Sequence, residues 1–142
     1  MSDTRTALAE IRGDGRDYID EVDPIYDLVA AFFEGRSGLE REDFATLFRL
    51  FEEFPDDDCS HVLWEIIHGV EYFGGYEDEM IASIRRAPSA VPLLLLNRLL
   101  NGGFEAHAGI SYLSLLEDTT KRADCSNAIV DRAVGYLDSH RS

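Results

Sequence analysis

Apolar side chains recur along this chain at three- and four-residue spacings, in blocks separated by glycine, proline or short polar loops. That spacing puts each block on one face of an α-helix. After Asp23-Pro24, which reads as an N-cap with proline in the first helical position, Ile25, Leu28, Val29 and Phe32 form the first clear stripe. Gly35 and Gly38 close it. A second helix is expected from about Leu39, with Phe44, Leu47, Phe48, Phe51 and Phe54 inward and Pro55 as its stop. Glu40, Glu42 and Asp43 fall in its first turn, where the helix dipole favours carboxylates. Val62, Leu63, Ile66, Ile67 and Val70 mark a third helix, ended by Gly74-Gly75. Met80, Ile81 and Ile84 mark a fourth, between Glu77 and Arg86.

Pro88 and Pro92 frame the start of a fifth helix, and residues 93–100 are apolar nearly all round, so this helix is expected at the buried centre. A sixth holds Ile110, Tyr112, Leu113, Leu115 and Leu116, and a seventh runs over about 126–137 with Ile129, Val130, Val134 and Leu137 inward. No stretch alternates with a period of two, so no sheet is expected; the apolar run 91–96 is the one place where a strand could hide. Residues 1–22 are polar and read as an arm, in which a short helix over 6–11 competes with fraying. The fold class is therefore all-α, one helical domain over 1–142, of about six to seven helices. Short connections imply antiparallel hairpins, and a period of roughly forty residues per helix pair suits a short HEAT-like solenoid. An irregular helical bundle is the alternative.

Charge changes this picture. Asp and Glu number 28 against 13 Lys and Arg, a net charge of -15. Such a surface repels phosphate, which argues against nucleic acid and against an anionic membrane. It attracts a basic protein. Solubility alone, or a salt-adapted source, accounts for the charge equally well, and arginine outnumbers lysine, with Lys121 the single lysine. Cys59 and Cys125 have neither disulfide-framework nor metal spacing. The polar start lacks the apolar core of a secretion signal, so a cytoplasmic location is expected.

Trp64, His68 and Glu71 share one helix face at i, i+4 and i+7. His68 and Glu71 are types that bind metal or exchange protons, but the di-iron helix motif has the opposite order and a second copy. A structural role is expected for all three, with no metal and no cofactor. Cys59 beside His61 lacks an orienting group and an oxyanion site. No nucleophile elbow or phosphate loop occurs, so no enzyme activity is expected. Asn97 and Asn101 lie four apart on the most apolar helix, and buried amides need partners, so both are expected to fix helix register. The carboxylates fall into two clusters, Glu52-Glu53 with Asp56-Asp57-Asp58, and Glu77-Asp78-Glu79. Phe51 and Phe54 neighbour the first; Tyr72, Phe73 and Tyr76 neighbour the second. Carboxylates beside aromatic anchors suit a contact with a basic protein, so these eight acids are the candidate partner-binding residues, the first cluster foremost.

The stretch LWEIIHGVEYFG followed by RRAPSAVPLLLLNRLLNGG resembles small all-helical immunity proteins of bacterial polymorphic-toxin and contact-dependent growth inhibition systems. The residues that carry the resemblance are Trp64, His68, Glu71, Pro88, Asn97, Leu100 and Asn101, within about 60–103. It implies a protein that binds and neutralises a cognate toxin, often a nuclease, in the cytoplasm, with the shared residues holding the fold and a variable surface meeting the toxin. A helical adaptor or regulatory module with an unrelated partner is the alternative, and a small metal enzyme using His68 and Glu71 a third.

Overall fold

A computed structural model of the chain describes residues 3–14, 24–57 and 61–141. Among these it contains eight helices: α1 (Asp3–Ala9), α2 (Pro24–Phe33), α3 (Arg41–Glu53), α4 (His61–Phe73), α5 (Glu77–Arg86), α6 (Ala90–Asn101), α7 (Tyr112–Thr120) and α8 (Asn127–Arg141). The additional helix is α1, which starts earlier than the periodicity suggests and sends Leu8 into the core. The expectation of no sheet needs correction. Two short strands, β1 (Ala106–His107) and β2 (Ile110–Ser111), pair antiparallel between α6 and α7. Their turn places Ala108 and Gly109 at positive φ, 50° and 80°, as a two-residue hairpin requires. Ile110 thus belongs to a strand, and the apolar run 91–96 lies wholly in α6.

The helices pair in two layers. α1 packs on α3, α3 on α5 and α5 on α7; α2 packs on α4, α4 on α6 and α6 on α8. Within the hairpins, α1 with α2, α3 with α4, α5 with α6 and α7 with α8 are also in contact. The fold is thus an all-α packing of helix hairpins, as expected. α6 touches α3, α4, α5, α7 and α8, which makes it the centre of the fold. Leu93, Leu95 and Leu96 are fully buried there, and Pro92 is tolerated because the first helical turn has no amide partner to lose.

The apolar stripes became one core running from Leu8 through Phe32, Phe48, Phe51, Phe54, Ile66, Ile67, Met80 and Leu96 to Leu116 and Leu137. Apolar burial is non-directional, so it does not by itself fix how one helix slides on the next. Ion pairs between successive members of a layer supply that direction. Arg41 Nε donates to Glu79 Oε1 at 2.8 Å and Arg86 makes a two-pronged contact with Glu52 at 3.0 and 2.6 Å, both joining α3 to α5. Arg98 holds Glu71 the same way at 2.7 and 2.8 Å, joining α6 to α4. The guanidinium of Arg122 donates at 2.7 Å to the Arg85 carbonyl, at the carboxyl end of α5 where a cation is favoured.

The amino-terminal pair is tied by a buried acid. Asp43 is 1% exposed. It accepts from Arg5 Nη1 at 3.1 Å, from Arg36 Nη2 at 2.5 Å and from the Glu40 amide at 2.8 Å, so α1, the end of α2 and the start of α3 meet at one carboxylate. Burial pushes its pKa up, but the Glu40 amide and the two guanidinium groups outweigh burial and hold it below the ordinary value. Nearby, Gly13 donates its amide to Glu53 Oε1 at 2.8 Å. A Cβ on Gly13 would lie 2.1 Å from the Glu53 carbonyl oxygen, so only glycine allows that approach.

Asp43→Asn should destabilise the chain by about 2 kcal/mol near neutral pH, because two guanidinium groups lose their shared counter-charge. A depressed carboxyl pKa stabilises the fold above the unfolded value of about 4 and ceases to do so as pH falls through the folded value. The difference between the two proteins should therefore shrink as urea titrations move below about pH 4; a constant difference would contradict the assignment. Gly13→Ala should leave the core intact while raising amide exchange in α1, the helix that this loop pins.

Candidate functional site

The first acidic cluster is not one surface. Glu52 is held by Arg86 and also accepts from Ser83 Oγ at 2.7 Å, leaving its side chain 12% exposed. Glu53 receives the Gly13 amide. Asp56 Oδ1 accepts from Ser126 Oγ at 2.7 Å, and the same Ser126 hydroxyl accepts from the Ile129 amide at 3.3 Å at the start of α8. Asp57 is buried, and Asp58 and Cys59 lie outside the described residues. Four neighbours in sequence thus have different surroundings, and three of them brace segments far away along the chain. Phe51 and Phe54, expected as core or anchors, are core.

The second cluster divides as well. Glu79 is mostly buried against Arg41. Asp78 is exposed and 2.9 Å from His107 Nε2 in the hairpin. The Glu77 side chain has no hydrogen-bond partner among the described residues and lies close enough to Tyr76 and Tyr112 to act on both phenols. Burial first, then Glu71 and Glu77, raise the Tyr76 pKa well above normal; burial first, then Glu77, raise that of Tyr112. Tyr76 is buried, Phe73 half-buried and Tyr72 84% exposed.

Trp64, His68 and Glu71 do share a face, and Arg98, which the sequence did not single out, joins Trp64 to Glu71. Its guanidinium sits 5.9 Å from the Trp64 ring centroid while clamping Glu71. His68 is exposed, its ring 5.8 Å from the Trp64 ring. Trp64 is half-buried at the edge of the core rather than within it. Asn97 Oδ1 is 2.7 Å from His140 Nε2, a contact between α6 and α8. Asn101 departs from the expectation of a buried amide: it is exposed in the last position of α6, because the helix emerges from the core one turn earlier. Among the described residues no three His, Cys, Asp or Glu side chains gather as a metal site would need, and no helix is long and apolar enough to cross a membrane.

A mainly apolar concavity with an aromatic lining lies between α2 and α4. It is a groove of about 410 Å³ lined by Tyr26, Val29, Ala30, Phe33, Glu34 and Glu65. A larger cavity of about 530 Å³ surrounds the Arg5–Arg36–Asp43 junction, where the charges already satisfy one another.

In a double-mutant cycle, Glu71→Ala and Arg98→Ala should couple by about 0.5–1 kcal/mol, the scale of a two-pronged but partly exposed pair. Additive effects in thermal or urea unfolding would show that the clamp does not form in solution. No family model matches the chain, and no curated protein or solved structure matches it.

Proposed function

We propose that this chain is a binding protein for a basic partner, and that the partner is a bacterial toxin domain, a nuclease foremost, which it neutralises by covering the active site. The reading carries forward the resemblance of residues 60–103 to immunity proteins. One structural observation supports it most. Arginines Arg5, Arg36, Arg41, Arg86, Arg98, Arg122 and Arg141 are engaged with carboxylates of this same chain. These pairs take up acids and arginines alike, so the surplus acids stay at the surface, among them Asp27, Glu34, Glu105, Asp118, Asp131 and Asp138, all exposed. A net charge of -15 is thus presented outward. Nuclease sites are basic because they bind phosphate, so an acidic protein meets them with complementary potential and fast encounter.

The helical adaptor is the second reading, favoured by the two-layer stacking order, since such stacks hold many unrelated partners. Genomic context separates the two readings. Co-expression with the toxic product of an adjacent gene should restore growth, and the purified pair should associate at least about tenfold faster at low than at high salt. Absence of both rescue and binding would exclude the immunity reading.

A further inference from the structure

We propose that the groove between α2 and α4 is the docking surface, and that its occupant is a basic segment of the partner that inserts one apolar side chain between positive charges. This rests on the reading of the chain as a binder of a basic protein, and it moves the contact away from the acidic corner at Glu52.

One ring of the groove lining, Phe33, is seated by a glycine. Gly69 lies in α4, and a Cβ there would come within 2.5 Å of the Phe33 ring carbons. Phe33 therefore rests directly on the α4 backbone. From it a row of rings leads out to solvent. Phe33 and Phe73 stack at 6.4 Å with 12° between their planes, and Tyr72 meets Phe73 edge-on at 5.2 Å. Tyr72 is the most exposed large hydrophobic residue described, at 84%. At the other end Tyr26 packs against His61 with centroids 5.6 Å apart. Half-buried aromatics continuous with a fully exposed one mark a protein contact more often than a solvated face.

Charge selects the occupant. The lining contains two glutamates and no lysine or arginine. Glu34 is exposed and has no side-chain partner among the described residues, while the Glu65 side chain is 53% exposed and lies 3.6 Å from His61. An apolar floor rimmed by carboxylates fits an amphipathic basic segment, with Arg also able to lie over the Tyr72 ring. A nucleic acid is repelled. A second copy of the chain would bring another -15 to the same rim, which opposes self-association through this face.

The test uses the whole chain and three synthetic helical peptides of equal length. One carries leucines on one face and arginines on the other, the second replaces the leucines by serine, and the third replaces the arginines by glutamate. Titration followed by amide chemical shifts should give a saturable footprint on Ala30, Phe33, Glu65, Gly69 and Tyr72 with the first peptide. Affinity should fall at least about tenfold with either of the others. Ala30→Arg, on an exposed helical position, should keep the thermal midpoint and lose the footprint. Equal binding of the serine peptide, shifts spread over the acidic surface, unaltered binding by a folded Ala30→Arg protein, or shifts that depend on protein concentration alone would each overturn the proposal. In the growth-rescue assay, protection by Ala30→Arg equal to the parent chain overturns the docking surface and leaves the immunity function standing. Failure of both proteins to protect removes the immunity function, while the peptide footprint still decides the groove.

Discussion

The amino-terminal part of the stack depends on one buried carboxylate. A charge removed from water is costly unless it is paired and hydrogen-bonded, and Asp43 has both, from Arg5, Arg36 and the Glu40 amide. The three donors come from α1, from the turn after α2 and from the position before α3, so the acid is satisfied only when all three segments are in place. That requirement gives the first two hairpins a defined fit that leucine and phenylalanine contacts alone would leave loose. The same device recurs with less burial farther along, where Glu52, Glu71 and Glu79 each take a guanidinium from a helix two places away.

This explains a feature of composition that the charge balance alone leaves open. Every one of these clamps uses arginine, and two of them are two-pronged. A planar fork matched to a carboxylate fixes angle as well as distance, which an ammonium group cannot do. A preference for arginine over lysine therefore has a structural reason here beyond genome composition or a saline cytoplasm. Each such joint takes up one acid with one cation, so the surplus of acids remains for the rest of the surface.

The helices were legible because periodicity is a local signal. Leu47, Phe48 and Phe51 declare their shared face within one turn, and each lies in the core as that face predicts. The hairpin was not legible, because its strands hold two residues each and its turn is Ala108-Gly109 rather than the Asn-Gly or Asp-Gly that signals such a turn. The candidate site was the least legible part. Glu52, Glu53 and Asp56 look like one cluster in sequence, yet their partners Ser83, Arg86, Gly13 and Ser126 are distant in the chain. Counting acids in a window cannot distinguish a carboxylate that braces the fold from one that faces a partner. Arg98 was missed for the same reason: nothing near Trp64 in sequence announces a cation over its ring.

A local rule broken without local benefit is the better guide to function. Glycine inside a helix costs about 1 kcal/mol relative to alanine, and Gly69 sits well inside α4. A tyrosine left 84% exposed beside Phe73 forgoes the burial that such a ring usually finds. The fully buried α4 residues are Val62, Leu63, Ile66, Ile67 and Val70; Gly69 flanks that stripe and Tyr72 lies on the far side of the helix. Both features border the same row of rings, since Gly69 seats Phe33, Phe33 stacks on Phe73, and Phe73 supports Tyr72. Consistency across local and global levels is the normal condition of a folded chain, and departures from it collect where a surface has work other than folding. Here Gly69 and Tyr72 lie in α4, away from Glu52, Glu53 and Asp56, which brace the stack.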